Sequence, residues 1–375
     1  MLGSWCLPVN EERIRVLWLA KGLGQGGMER LLVTHAQFGD RERFDYRAAY
    51  LVDRPHSVID ELNELGVPTI RLGTGNALDP RWVRDLARLV HRERIDVVHA
   101  HSPVLAAVAR PLVRVLSPRT RLIYTEHNRW DRYSSPTRIA NQITYPLNHQ
   151  TFAVSDDCRD TVSPRLRPKV ETLIHGIDVD AVAVHRADRE SMRAELGISG
   201  ATVVIGTVAN LRVQKNYPLL LEVAAKVTAE NPNLLFLSVG QGPLEQQLKT
   251  LHEDLGLGDR FRFLGFRQDV HRVMSAFDVF CFSSDHEGLP VALMEARALG
   301  LPVVSTRAGG LSEAVSDLND GLLVPVGNKK ALGEAIRRVT SDACLRHQLA
   351  GASFGRAQRF DAALSSTLIE ASYVS

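Results

Sequence analysis

Two glutamates stand eight positions apart in DHEGLPVALMEA, residues 285–296, and a Gly288-Leu289-Pro290 turn separates them. Proline suits the first position of a helix, where its missing N–H is no loss. The unpaired amides of a first turn favour an anion. Leu289 and Pro290 therefore read as a phosphate seat. Glu287 falls in the loop before the helix and Glu295 inside it. Carboxylates accept hydrogen bonds from hydroxyls, so one could face a sugar and the other a ribose diol. Upstream, NLRVQKN (210–216) brings Arg212 and Lys215 onto one loop. Arginine forks onto two oxygens and lysine supplies a point charge, which suits a diphosphate. The turns around Gly240 and around Phe266-Arg267 could bring backbone close to a nucleotide.

The first half carries a second set. GLGQGG (22–27) fits G-x-G-x-x-G, and Asp53 ends the next apolar run, where a dinucleotide-binding protein would hold ribose. An NAD(P)-dependent oxidoreductase is therefore a rival reading. In HAHSP (99–103), His99 and His101 share one face of a strand, and Pro103 then opens a helix. Thr125-Glu126-His127-Asn128 ends the next strand in the same way. The histidine spacing does not match a helical zinc site, so no metal is expected.

The elements that must position these residues alternate along the whole chain. IRVLWLA (14–20), DYRAAYLV (45–52), DVVHAH, RLIYTEH and TFAVS read as buried strands, with helical patterns between them. The alternation restarts near 200 with TVVIGTVA, NLLFLSVG, RFRFLGF, FDVFCFS, LPVVSTR and GLLVPV. Near-continuous apolar strands with crossover helices predict parallel sheets covered on both faces. The expected class is α/β with two doubly wound domains, 1–178 and 179–355, and a helical tail, 356–375, packing back towards the first. The stretch 175–200 reads as a polar linker. Each candidate falls just after a strand, where open α/β sheets bind ligands.

Composition sets limits. Of 375 residues 45% are apolar and 23% charged, an ordinary globular balance, and the net charge of +2 gives no case for nucleic acid. Cys6, Cys158, Cys281 and Cys344 form no CxxC pair. They read as reduced thiols of a cytoplasmic protein. No signal peptide and no membrane span are expected.

Together these residues resemble the retaining glycosyltransferases of family 4, which have the GT-B fold. EGLPVALMEARALGLPVVSTRAGGLSEAV carries the family's Glu-x7-Glu motif at Glu287 and Glu295. GQGPLEQQL, FLGFRQDV, GLLVPV, GQGGMER and DVVHAHS are similar to other family segments. The resemblance implies a UDP- or GDP-type sugar donor on the second domain, with no separate cofactor. Glu295 would hold ribose, Glu287 the donor sugar and Lys215 the diphosphate, with Gly26 and Gly27 closing over the reaction centre. His101 and His127 match positions implicated in catalysis in different members. Gly240, Phe266 and Arg267 would lie near the nucleotide.

There are departures. The family's Gly-Arg-Leu is Ala209-Asn210-Leu211 here, which leaves Arg212 as the substitute arginine. Asp178-Val179-Asp180 resembles a metal motif of another fold and reads as coincidence. The implied reaction is metal-free transfer of a hexose, with retention, to a glycan or lipid-linked hydroxyl. An epimerase of the same fold is the other alternative. Basic segments at 109–132 and in WVRDLARLVHRER could rest on an anionic membrane.

Overall fold

A computed structural model describes residues 13–54, 56–76 and 79–374. Cys6 and the rest of the N-terminal stretch lie outside the described residues.

Seven short strands build the first sheet: β1 (Ile14–Ala20), β2 (Phe44–Tyr50), β3 (Thr69–Arg71), β4 (Val97–Ala100), β5 (Arg121–Glu126), β6 (Gln150–Ala153) and β7 (Val170–Thr172). Their order is β3-β2-β1-β4-β5-β6-β7. Six build the second: β8 (Val203–Val208), β9 (Leu234–Val239), β10 (Phe261–Phe263), β11 (Val279–Phe282), β12 (Val303–Thr306) and β13 (Gly321–Val324), in the order β10-β9-β8-β11-β12-β13. All pairings within both sheets are parallel. Burial explains the apolar strands: β4, β9, β11, β12 and β13 are buried at every position. Each sheet lies between two apolar clusters, such as those holding Phe280 and Val279 on opposite faces of β11.

Strand order reverses between β1 and β4, and again between β8 and β11. At such a switch point the loops leaving adjacent strands diverge and open a crevice. The glycine loop follows β1 and His101 follows β4. Lys215 follows β8 and Glu287 follows β11. Both halves of the candidate site thus sit at switch points.

The 175–200 stretch is not a loose linker. It forms helices at Val179–Ala183 and Arg189–Glu195. Arg189 and Arg193 hydrogen-bond Asp278 at 2.5 and 3.1 Å and bind the carbonyls of Phe277 and Ala276. Its charges are spent on docking to the second sheet's domain, which the polar composition did not show. Asp178 accepts from the Ala181 amide as a helix cap, so the Asp-x-Asp pattern has a local structural use. The last helix, Ala362–Val374, lies against the Gly27–Phe38 helix, and Tyr373 joins the first sheet's core.

Candidate active site

The second-domain half of the site is two loops tied together. Asp285 donates its amide to the Gln214 carbonyl, and Ser283 donates its hydroxyl to the Lys215 carbonyl, both at 2.8 Å. Asn216 sits in the left-handed region at φ 45°, caps the Leu219 amide and donates to Asp285 at 2.7 Å. This frame brings Lys215 Nζ to both Glu287 carboxylate oxygens, at 2.6 and 2.8 Å. Ser284 donates to the same carboxylate at 2.6 Å. Glu287 is 8% exposed, so a buried charge is met by a cation and a hydroxyl. The sequence had separated these roles, Lys215 for a diphosphate and Glu287 for a sugar. The fold makes them one ion pair.

Pro290 is the residue before the helix, extended at ψ 130°, and helix begins at Val291. The expected first-position proline is therefore one residue off, and the free amides start with Val291. Leu289 packs against the apolar clusters of both domains, so its side chain bridges the domains. Gly288 lies so close to the His127 carbonyl that an added Cβ would stand 2.6 Å from its oxygen.

Across the cleft, Gly26 precedes the Gly27–Phe38 helix. A Cβ on Gly27 would lie 3.4 Å from Val291 Cγ2. Two helix N-termini therefore face each other, a place that favours an anion from both sides. Arg212 is exposed. It acts on Glu29 from the opposite domain: burial raises the Glu29 pKa, while its backbone hydrogen bond, Arg212 and Arg54 oppose that rise.

His101 and His127 meet, Nδ1 to Nε2, at 3.1 Å. The His99 and His101 rings lie 4.2 Å apart at a tilt of 33°, and the His175 ring lies 5.7 Å from that of His127. Burial lowers the pKa of all four, to about 3 for His127 and about 4 for His175. His99 is fixed from the tail. Trp18 Nε1 can only donate, and it donates to the Tyr373 hydroxyl at 3.4 Å. Tyr373 and His99 Nδ1 share a hydrogen bond at 2.8 Å, and His99 Nε2 meets Thr125 Oγ1 at 2.8 Å. His101 Nε2 is buried with no hydrogen-bond partner among the described residues. Glu126 turns inward instead, receiving Trp130 at 2.7 Å, Tyr124 at 3.1 Å and Tyr133. Burial raises its pKa to about 7, and its role is structural.

The remaining candidates divide. Glu295 is paired with His271 Nε2 at 3.0 Å. Gly240 has φ 136°, and a Cβ there would fall 2.1 Å from the Ala209 carbonyl oxygen, so its freedom serves contact with the loop after β8. Phe266 stacks on His56 of the other domain at 4.3 Å. Arg267 is forked onto Asp269 at 2.7 Å. Asp53 is paired with Arg71 at 2.8 Å on the surface. Among the described residues no group of three or more ligating side chains could hold a metal. Glu29, Ser284 and His271 were missed in the sequence. Only Glu29 carried a signal, an acid in the first turn after a glycine loop.

Two parallel-sheet domains whose switch-point crevices face each other define the GT-B fold. The comparisons give the family. The model described as "Glycosyltransferase Family 4" matches residues 14–181, and that described as "Glycosyl transferases group 1" matches residues 188–354. The chain belongs to the family 4 glycosyltransferases.

Among its relatives is the UDP-Gal:alpha-D-GlcNAc-diphosphoundecaprenol alpha-1,3-galactosyltransferase of Escherichia coli, 26% identical over 85% of this chain and 86% of that protein. Another is the 2-deoxystreptamine N-acetyl-D-glucosaminyltransferase of Streptomyces fradiae, 28% identical over 89% and 83%. The fold is shared with Anabaena HepE in complex with UDP and glucose, at TM-score 0.86, 22% identity and coverage of 97% of this chain and 100% of that one. Nothing in these findings supports the epimerase or the oxidoreductase.

Proposed function

We propose that this glycosyltransferase moves a hexose from a UDP- or GDP-sugar to a hydroxyl of a glycan or lipid-linked acceptor, with retention and without a metal. The observation that carries the reading is the Lys215–Glu287 pair at the β8/β11 switch point, opposite the Gly26-Gly27 loop. Lys215 leaves the carboxylate far enough to meet the donor diphosphate, and Glu287 then faces the sugar. Arg212 and the amides from Val291 onward stabilise the charge that grows on the leaving group. Glu295 holds the ribose, with the nucleotide bordered by Gly240, Phe266 and Arg267.

The bond from the anomeric carbon to the diphosphate breaks as the acceptor oxygen bonds to the same face. The acceptor proton passes to the departing phosphate oxygen. His101, neutral and backed by His127, orients the sugar or the acceptor. Lipid-linked acceptors would bring the protein to the cytoplasmic membrane surface, as the substrate named for the Escherichia coli relative suggests. The test is transfer from UDP- and GDP-hexoses in the presence of a chelator, with the product's anomeric configuration read by NMR. An α-linked product from an α-donor is expected. A β-linked product overturns retention, and rescue only by added magnesium overturns metal independence.

A further inference from the structure

The Pro103–Leu116 and Ser135–Thr144 helices lie side by side on the first domain. Asn141 donates to the Pro103 carbonyl at 3.1 Å and accepts from Arg110 at 2.8 Å. Their outward faces are unusually apolar. Ile139 and Ile143, one turn apart, are 56% and 71% exposed, and Val104 and Val115 are 43% and 77% exposed. Arg119 and Arg138 are also exposed, while Arg132 stands 4.0 Å from Asp131. Neither 103–125 nor 132–155 contains a single Asp or Glu. Apolar side chains held in water beside Arg119 and Arg138 fit a partner that is both apolar and anionic.

We infer that this face docks on an anionic lipid bilayer, with Ile139 and Ile143 entering the headgroup boundary and the arginines meeting lipid phosphates. A second copy of the chain would set like charges against each other across a two-fold axis. Nucleic acid would answer the arginines and leave the isoleucines in water. The Pro103–Leu116 helix starts two residues after His101, so docking here would place the bilayer beside the acceptor half of the cleft. The Arg81–Arg92 helix, the other basic candidate, does not qualify. Trp82, Leu86 and Val90 are buried in the core, Arg84 and Arg88 are exposed, and no exposed large apolar side chain lies on this helix. The inference rests on the lipid-linked acceptor for its purpose, and its test is independent of donor chemistry.

The experiment is co-sedimentation with phosphatidylcholine vesicles, with and without phosphatidylglycerol, and with nucleotide-induced thermal shift followed in parallel. The wild type should pellet only with anionic vesicles. Ile139→Glu/Ile143→Glu and Arg119→Glu/Arg138→Glu should each cut binding roughly tenfold or more with the thermal shift unchanged. Arg84→Glu/Arg88→Glu should pellet like the wild type. Wild type left in the supernatant with both vesicles overturns the inference. So does loss in the Arg84/Arg88 variant alone, or a dimer in solution that the isoleucine variant dissolves. Failure of donor binding, by contrast, would show in the thermal shift and leave pelleting intact.

Discussion

Lys215 and Glu287 lie 72 positions apart in the chain and 2.6 Å apart in the fold. The pair ties a cation suited to a diphosphate to the carboxylate that would face the sugar. Glu287→Gln keeps the shape and the hydroxyl contact from Ser284 while removing the charge. Turnover should fall by roughly a hundredfold or more, as when one electrostatic contact to a transition state is lost, with nucleotide affinity changed little. Lys215→Ala should do more, because it strands a buried carboxylate. Loss of about 3–5 kcal/mol of stability in urea melts is expected, together with loss of nucleotide binding. A Glu287→Gln enzyme with wild-type turnover would remove Glu287 from the reaction.

Glu295 and His271 form the other half of the donor prediction. Glu295→Gln should weaken nucleotide binding by roughly tenfold to a hundredfold, the range of a hydrogen bond to a charged group. His271→Ala leaves the carboxylate in place but removes its 3.0 Å partner, so a smaller loss is expected. Calorimetric titration with nucleoside diphosphate separates the two. Equal, negligible effects would place the ribose elsewhere.

The buried imidazoles predict acid sensitivity. His99, His101, His127 and His175 all have folded pKa values below the ordinary value, through burial. Each therefore takes up a proton on unfolding. The stability each contributes is present above the unfolded value near 6.5 and is lost as pH falls towards the folded values of about 3 for His127 and about 4 for His175. Glu126 acts in the opposite sense. Its folded pKa is raised to about 7, so its contribution is lost as pH rises through that value. Four groups against one should leave the melting temperature falling steadily from about pH 6.5 to 4. A flat profile across that window would contradict the neutral histidine cluster.

Tyr373 is the tail's hold on the site. Tyr373→Phe removes one hydroxyl and leaves Trp18 Nε1 and His99 Nδ1 without it. Destabilisation of about 1–3 kcal/mol is expected. Thermal melts of the variant check this, and an unchanged melting temperature would show that the contact carries no weight.

Glu313 links the domains by accepting the Asp156 and Asp157 amides at 2.8 and 2.5 Å, at the start of the Asp156–Asp160 helix. Glu313→Ala orphans both donors. If this contact sets how the domains close, KM and kcat should change together, as hinge variants do. A change in stability alone would make the contact purely structural.

Much of this was legible in the sequence. Parallel strands buried on both faces leave apolar runs such as IRVLWLA and FDVFCFS, so the two α/β domains could be read directly. Glycine, proline and charge after a strand pointed to the right loops. What could not be read was spatial. Strand order decides which loops share a switch point, and nothing in NLRVQKN says that Lys215 will reach Glu287. Pro290 fits both the position before a helix and the first within it, so the boundary slipped by one. The stretch 175–200 looked like linker because its arginines are charged, and their partner Asp278 is far along the chain. Phe266 and His56 pair across domains, which no local pattern encodes.

On this reading Lys215 and Glu295 hold a nucleoside diphosphate on the second domain. The most direct measurement is a thermal-shift panel of UDP, GDP, ADP, NADH and NADPH in the presence of a chelator. UDP or GDP at ~100 times its dissociation constant should add about 2.7 kcal/mol of stability, and the gain should shrink in Glu295→Gln. No shift with either diphosphate, or a shift with NADH or NADPH instead, would rule out a nucleoside-diphosphate site there.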